Sequence, residues 1–438
     1  MALGGGTFTS QNKILPGTYI NFVSASIATA TLSDRGVVTM PLSLDWGEDG
    51  RIFEVSATDF IKNSLRIFGY AYSADELKGL RDLFTAGVRK LYAYKLTSGG
   101  KTASCTYCKA KYAGKRGNDL KVVIAANVDD TTAFDVTVYM GTTKVFEQTG
   151  AKTAADLEES DYVVWTEDAS LAETAGTPLT GGENGDVDGT AYQTYLDKIE
   201  AYAFNTMGVV VTDDTTKGLV AAFIKRMRDE RGIKCQCVLY DYAKADSEGV
   251  ISVMNKATDG ATEADLVYWV TGAEGACAVN ASLLNQTYSG EYTVDTDYTQ
   301  SQLEAAMQAG KFAFHNVNGT VRVLADINTL VSDSDEKAKA IFGENQSIRV
   351  IDQIANDIAS IFSTKYLGKV PNDAAGRISL WSDIVKHHQE LESIRAIEDF
   401  DEEDVTVELG DAKSSVAISD AVTLINAMAK LYMSVVVA

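Results

Sequence analysis

Apolar positions recur with two different periods along this chain, and the period changes where the predicted domains change. From about residue 35 to 96, the alternating runs Gly36 to Leu44, Arg51 to Val55 and Lys90 to Leu96 predict strands. Between them, Ser73 and Glu76 have the spacing of a capping box ahead of Leu77, Leu80, Leu83 and Phe84, which predicts a helix. From about 98 to 189 the period is mostly two. Val122 to Ala125, Phe134 to Tyr139, Lys144 to Glu147 and Tyr162 to Trp165 are short β-runs divided by Gly, Asp and Thr clusters, which predicts an all-β insertion, a small sandwich or barrel. After the loop GGENGDVDGT the α/β rhythm resumes. It predicts helices over 191–203, 215–230, 263–272 and 300–308, and strands Gly208 to Val211, Ile233 to Tyr240, Lys311 to Asn316 and Thr320 to Leu324. This is the pattern of one α/β domain interrupted by the β segment.

The last hundred residues differ. Ile348, Ile351, Ala355, Ile358 and Phe362 keep one helical face, and Ile378, Trp381, Ile384, His388, Leu391 and Ile394 keep another, with Gly368, Pro371 and Asn372 breaking the chain between them. An antiparallel or crossed helix pair is expected, followed by β-runs at Val405 to Leu409, Val416 to Ile418 and Val422 to Ile425. Two further runs have nothing adjacent in sequence to pair with. One is Thr18, Tyr19, Ile20, Asn21, Phe22 and Val23; the other is Leu431, Tyr432, Met433, Ser434, Val435, Val436 and Val437. The first reads as an arm whose partner lies elsewhere; the second is an apolar strand at an open terminus, an edge that must be covered. The expected division is an arm over 1–25, an α/β core over 26–97 and 190–330, a β-sandwich-like insertion over 98–189, an α+β domain over 331–430 and an arm strand over 431–438. The fold class is α/β and α+β, multidomain.

Charge narrows the partners. With 39 Lys+Arg against 61 Asp+Glu the 438 residues carry a formal charge of −22, which opposes attraction to nucleic acid or anionic lipid. The acid is local: Met1 to Gly100 is near neutral, whereas 151–200 carries Asp156, Glu158, Glu159, Asp161, Glu167, Asp168, Glu173, Glu183, Asp186, Asp188, Asp197 and Glu200 against Lys152 and Lys198, the pattern of a solvated face. The N-terminus has no basic segment followed by an apolar one, and no run approaches about 18 apolar residues, so a soluble protein made in a cytoplasm, with no direct membrane insertion, is expected. Five cysteines are too few for a disulfide framework.

Candidate chemistry is thin. Gly99, Gly100, Lys101 and Thr102 look like the end of a phosphate loop, but position 95 is Lys where the loop needs glycine, so a hairpin turn is the better reading. Asn184, Asp186, Asp188 and Gly189 mimic half a calcium loop whose twelfth position is Tyr195. Cys105 and Cys108 have a metal-like interval, but an offset of three along a strand points them to opposite faces; Cys235 and Cys237 share an apolar strand, and packing is the expected role of all four. His387 and His388 are adjacent and so expected to diverge on a helix; His315 is the third histidine. Tyr70, Tyr72, Tyr92 and Tyr94 read as core. No catalytic constellation, metal site or cofactor emerges, and a binding or structural protein is the expectation.

Several segments together resemble the sheath protein of contractile phage tails, in the form carried by myophages, defective prophages and phage-tail-like bacteriocins of Gram-positive bacteria. They are Leu15 to Phe22 (LPGTYINF), Lys111 to Leu120 (KYAGKRGNDL), Ser347 to Ile358 (SIRVIDQIANDI), Gly368 to Arg377 (GKVPNDAAGR) and Ala427 to Val435 (AMAKLYMSV). Ala113, where proline is common, and Lys115, where a small hydroxyl residue is usual, depart from the pattern in one turn. The resemblance implies a structural, non-enzymatic subunit that polymerises as stacked hexameric rings around a tail tube, with the C-terminal domain innermost and baseplate and tail terminator proteins as further partners. It also implies that both arms add strands to the C-terminal sheets of neighbouring subunits. The alternative from another class is an α/β hydrolase or glycan-binding protein with a β insertion, which would need a cleft with convergent polar groups.

Overall fold

The computed structural model of the chain describes residues 32–437, so the expected arm strand from Thr18 to Val23 lies outside the described residues. The chain opens with β1 (Val37–Leu42) and β2 (Ile52–Ser56), then α1 (Ala57–Phe68). Helix α1 is absent from the sequence expectation although its signals are local: Ser56 accepts the Asp59 amide, and Gly69 ends the helix at a φ of 78°. The next helix departs from the capping-box expectation. Residues 75–77 form a 3₁₀ turn without a side-chain cap, and α2 runs over Lys78–Thr85. The Arg81 guanidinium donates to the carbonyls of Tyr72 (2.7 Å) and Ala74 (2.6 Å), tying the preceding chain into a turn, so Ser73 never caps. Strand β3 (Lys90–Lys95) follows.

The insertion contributes β4 (Cys108–Ala110), β5 (Leu120–Ala126), β6 (Phe134–Met140), β7 (Thr143–Ala151), β8 (Val163–Trp165) and β9 (Thr174–Pro178). A four-stranded antiparallel sheet runs β7-β6-β5-β9, and β4 pairs with β8 separately. Alternation sends Val122, Ile124, Val136, Val138 and Met140 inward against Trp46, Val163 and Leu179. Strand β9, Thr-Ala-Gly-Thr-Pro, carries no apolar alternation that a sequence reading could detect.

Then come α3 (Gly189–Ile199), β10 (Thr206–Gly208), α4 (Asp214–Asp229), β11 (Gln236–Tyr240), β12 (Val250–Val253), α5 (Leu266–Ala276), α6 (Gln300–Gln308), β13 (Lys311–Val317) and β14 (Thr320–Ala325). Strand β10 lies earlier than the expected Gly208 to Val211, and four-residue β12 is too short to show a period. The main sheet has the order β14-β13-β12-β11-β10-β1-β3-β2, with β3 through β13 in that row parallel and the two outermost strands antiparallel to their neighbours. The chain steps from β1 to β3 on one side and then builds outward from β10 on the other, a doubly wound arrangement whose switch point lies between β1 and β10. Both faces are buried. Val38, Met40 and Leu42 pack with α1, α2 and α5, while Cys237 and Leu239 pack with Tyr195, Leu196, Val220 and Ile224 from α3 and α4.

The described chain divides into two compact units, one built on Asp34–Asn356 with Ile394–Glu398 and the chain from Thr423, the other on Asp357–Ser393 with Asp399–Val422. After the short α7 (Lys339–Phe342), the division falls inside α8 (Asn345–Ile361). In the second unit a π-helical turn at Phe362–Tyr366 leads to α9 (Ala374–Ser393), and the segment from Asp357 onward runs back against it: Lys365 and Tyr366 bond Asp383 while Asp357 bonds His387. Three members of the expected faces differ. Ile378 is 64% exposed, and on α8 Asp352, Gln353 and Asp357 are buried while Ile351 and Ala355 are only half-buried. Strand β15 (Ile397–Glu398) pairs with β18 (Thr423–Leu424), and β16 (Thr406–Leu409) with β17 (Val416–Ser419).

Candidate assembly surfaces

The C-terminal run is where the structure exposes what a monomer ordinarily buries. Its last anchors are the Ile425 amide on Ala396 O, the Gln346 side chain on Ile425 O, the Ser347–Asn426 side-chain pair and the Ala427 amide on Gln346 Oε1. Over the described residues 428–437 the chain has no regular secondary structure, and Leu431, Tyr432, Met433, Val435, Val436 and Val437 are 70–93% exposed. The strand expected over 431–437 is therefore not formed within the isolated chain, because no described strand lies alongside to take its backbone groups. A contiguous apolar run of this kind marks an interaction surface.

The second unit carries a complementary feature. The β16–β17 ribbon has only two strands, and neither long edge has a partner among the described residues. Val407 and Val416 pack with Leu380 and Ile384 of α9, while Leu409 and Ile418 are 53% and 40% exposed.

Two of the sequence segments that carry the sheath resemblance act as internal joints. In Ser347 to Ile358, Arg349 pairs with both Glu274 and Asp326, Asp352 takes Arg228 at 2.6 and 2.8 Å, and Asn356 exchanges two bonds with the Lys234 backbone. Burial, and then the charge of Asp326, push the Glu274 carboxyl well above the usual range; burial acts most strongly on Asp326 as well, but the Arg349 charge and hydrogen bonds from Arg349, Glu274 and the Leu283 amide together hold it below the usual value. These positions form a polar stripe, invisible to a search for apolar periodicity. In Lys111 to Leu120, the Arg116 amide reaches Asp45 O, its guanidinium donates to Gly69 O at 2.7 Å, and the Ala113 carbonyl takes the buried Lys95 ammonium at 2.6 Å. Gly114 has a φ of 133°, and a Cβ there would strike the Asp45 carbonyl, so the β insertion meets the core at a glycine.

The remaining candidates resolve as follows. Gly99 lies in a turn and Lys101 pairs with Glu183 at 2.7 Å. Asn184 donates to Asp45 and accepts from the Lys115 amide, while Asp188 caps α3, so the calcium-like residues do not converge. Among the described residues no group of three His, Cys, Asp or Glu could hold a metal ion, and no helix is long and apolar enough to cross a membrane. The acidic residues of 151–200 are all exposed except Glu200, which pairs with Arg226 and Arg231, so the solvated-face reading holds for the chain. Two expectations are overturned. Cys105 and Cys108 bring their sulfurs to 3.8 Å, because the chain turns between them rather than running on as a strand. His387 and His388 bring their Nδ1 atoms to 3.3 Å, because each outer Nε2 is held by a carboxylate, Asp357 or Asp420, which turns the inner edges together. A cavity of about 630 Å³ opens at the carboxyl ends of β1, β3 and β10, where doubly wound sheets bind ligands. Its charged rim is largely self-satisfied: Lys78 pairs with Asp259, and Asp265 caps Thr262.

A doubly wound core, a β insertion and a long exposed apolar terminus define a multidomain protein built to associate. The chain belongs to the phage tail sheath protein family. Sheath domain models match along it in order: the tail sheath protein Gp18 domain III N-terminal region at residues 35–96, the beta-sandwich domain at 98–184, the central domain at 185–329 and the C-terminal domain at 337–438. The phage-like element PBSX protein XkdK of Bacillus subtilis is 30% identical over 99% of each chain. The sheath tail protein of Desulfitobacterium hafniense is 37% identical with a TM-score of 0.81, covering 93% of this chain and 96% of that one. The contracted helical sheath of the anti-feeding prophage, 12% identical with a TM-score of 0.59 over 97% of this chain and 99% of that one, shares the fold. The hydrolase or glycan-binding alternative is left without support.

Proposed function

We propose that this chain is the structural subunit of a contractile tail sheath, polymerising with copies of itself as stacked hexameric rings around a tail tube. Contraction of the sheath drives the tube through a target cell envelope. The observation that carries this beyond family membership is the exposed apolar run from Leu431 to Val437 beside an anchor that ends at Ala427. In this reading the run adds a strand to the open β16–β17 ribbon of a neighbouring copy, and Thr18, Tyr19, Ile20, Asn21, Phe22 and Val23 do the same from the other end. About five backbone hydrogen bonds at about 0.5–1.5 kcal/mol each keep copies linked while their rigid bodies rotate.

The chain works as an N-terminal arm, an α/β core, a β insertion, a C-terminal assembly domain and a terminal arm strand, inside a virion tail or tail-like particle assembled in a bacterial cytoplasm. Baseplate and tail terminator proteins complete its partners. The work is mechanical: a lattice held even a few kcal/mol per subunit above its contracted form releases a large sum over a long tail. The test is negative-stain microscopy of the concentrated protein and of chains lacking residues 1–24 or 431–438. The full chain is expected to form tubes and each truncated one to remain monomeric; tubes from both truncated chains overturn the arm reading.

A further inference from the structure

The Cys105–Thr106–Tyr107–Cys108 segment has no role in assembly as described above. It is a turn closed by the Ser104–Lys109 bridge, with the Cys105 amide donating to Cys108 O at 2.8 Å. Residues facing one another across such a bonded antiparallel pair have Cα atoms about 5.5 Å apart. That separation lies inside the range of about 4.4–6.8 Å that a disulfide accepts. The two sulfurs already stand 3.8 Å apart, and among the described residues nothing completes a metal site around them. Cys105 is half-buried, so a small reagent can reach it, whereas Cys108 is only 1% exposed.

We propose that Cys105 and Cys108 are a redox-active dithiol that closes to an intramolecular disulfide on meeting a low-molecular-weight disulfide such as oxidised glutathione. Cys105 is the attacking group. Its thiolate accepts a hydrogen bond from the Cys108 thiol and from the Tyr107 and Cys108 amides, which outweighs burial and brings its pKa down to about 6; the same thiol pair pushes Cys108 up. The Cys105 thiolate displaces one glutathione thiolate and forms a mixed disulfide. Cys108 then gives up its proton to solvent, attacks the Cys105 sulfur and displaces the glutathione bound there. Two electrons and two protons pass to the reagent, which leaves as two thiols, and the protein keeps one S–S bond. The other three cysteines form an internal control. Cys235, Cys237 and Cys277 are buried, which raises all three thiols, Cys235 to about 12 and Cys277 to about 11.

Trypsin releases both cysteines in one peptide, residues 102–109, so a single mass decides. The full-length folded protein is incubated with oxidised or with reduced glutathione, alkylated and digested. The expected result is a 102–109 peptide lighter by two hydrogens and closed to alkylation after oxidised glutathione, open after reduced glutathione, with Cys235, Cys237 and Cys277 free throughout. C108S is expected to stop at a glutathione adduct on Cys105, and C105S to gain none. A wild-type peptide that stays a dithiol in oxidised glutathione, a disulfide joining two chains, or adducts formed equally by C105S and C108S overturns the proposal. The wild-type mass needs no variant to fold.

Discussion

Deleting residues 431–438 is expected to leave the monomer as stable as before while abolishing its self-association. In the isolated chain Leu431, Tyr432, Met433, Val435, Val436 and Val437 are 70–93% exposed, so removing them takes nothing out of a core. Surface changes of this kind stay within about 0.5 kcal/mol. In an added strand successive side chains alternate, which puts Leu431, Met433, Val435 and Val437 on one face. Burying each contributes about 1.5–3 kcal/mol. About five backbone bonds add about 0.5–1.5 kcal/mol apiece. Ordering seven backbone residues costs about 1–2 kcal/mol each, which offsets most of the gain. The balance is about 3 kcal/mol per arm, roughly a 150-fold change in each contact's equilibrium constant, before repetition along a polymer multiplies it. Circular-dichroism melting reads the first half of the expectation, and sedimentation with negative-stain microscopy reads the second. A melting temperature lowered by more than about 4 °C would show that the run is part of the folded core after all. Tubes of unchanged length and yield from the truncated chain would show that assembly does not use it.

Three further outcomes test the internal joints. Because Glu274 is held toward its neutral form and Asp326 is the charge that balances Arg349, Glu274→Gln should cost under about 1 kcal/mol and Asp326→Asn about 3–5 kcal/mol in urea unfolding; equal costs would refute the assignment of the proton. Burial raises Glu248, but Lys337 at 2.6 Å and the Arg228 charge outweigh it and hold the folded carboxyl below its usual value. Its contribution is therefore complete above the unfolded pKa of about 4.3 and lost as pH falls through the folded value, so wild type should exceed Glu248→Gln at pH 7 and the gap should close on acidification. Gly114→Ala should lower stability by about 2 kcal/mol or more, since the position combines a φ of 133° with no room for a Cβ; an unchanged melting curve would show that the turn can move.

The legible part of the fold is the part set by near neighbours. Strands β5, β6 and β7 and helices α4, α6 and α9 follow from periods of two and 3.6, and the paired runs at 406–409 and 416–419 stand where alternation puts them. The failures have equally definite causes. The capping box at Ser73 does not form: the 3₁₀ turn at 75–77 starts one residue later without a side-chain cap, and Arg81 ties down the carbonyls on either side of Ser73, those of Tyr72 and Ala74. Cys105 and Cys108 meet because a strand assumed straight turns, and the two histidines meet because carboxylates far along the chain grip their outer nitrogens.

The apolar run from Leu431 to Val437 and the concentration of acid in 151–200 are properties of composition and pattern, and sequence alone determined both. The tertiary structure decided that the run emerges past its last anchor at Ala427 with its side chains in solvent, and that α8 turns Arg349, Asp352 and Asn356 toward partners in the core alongside the buried Ile348. The physical reason is range. Periodicity and capping involve residues within a turn or two, whereas Arg228 and Asp352 stand 124 residues apart, and a charge that far along the chain can enter a core only once folding has brought its partner there.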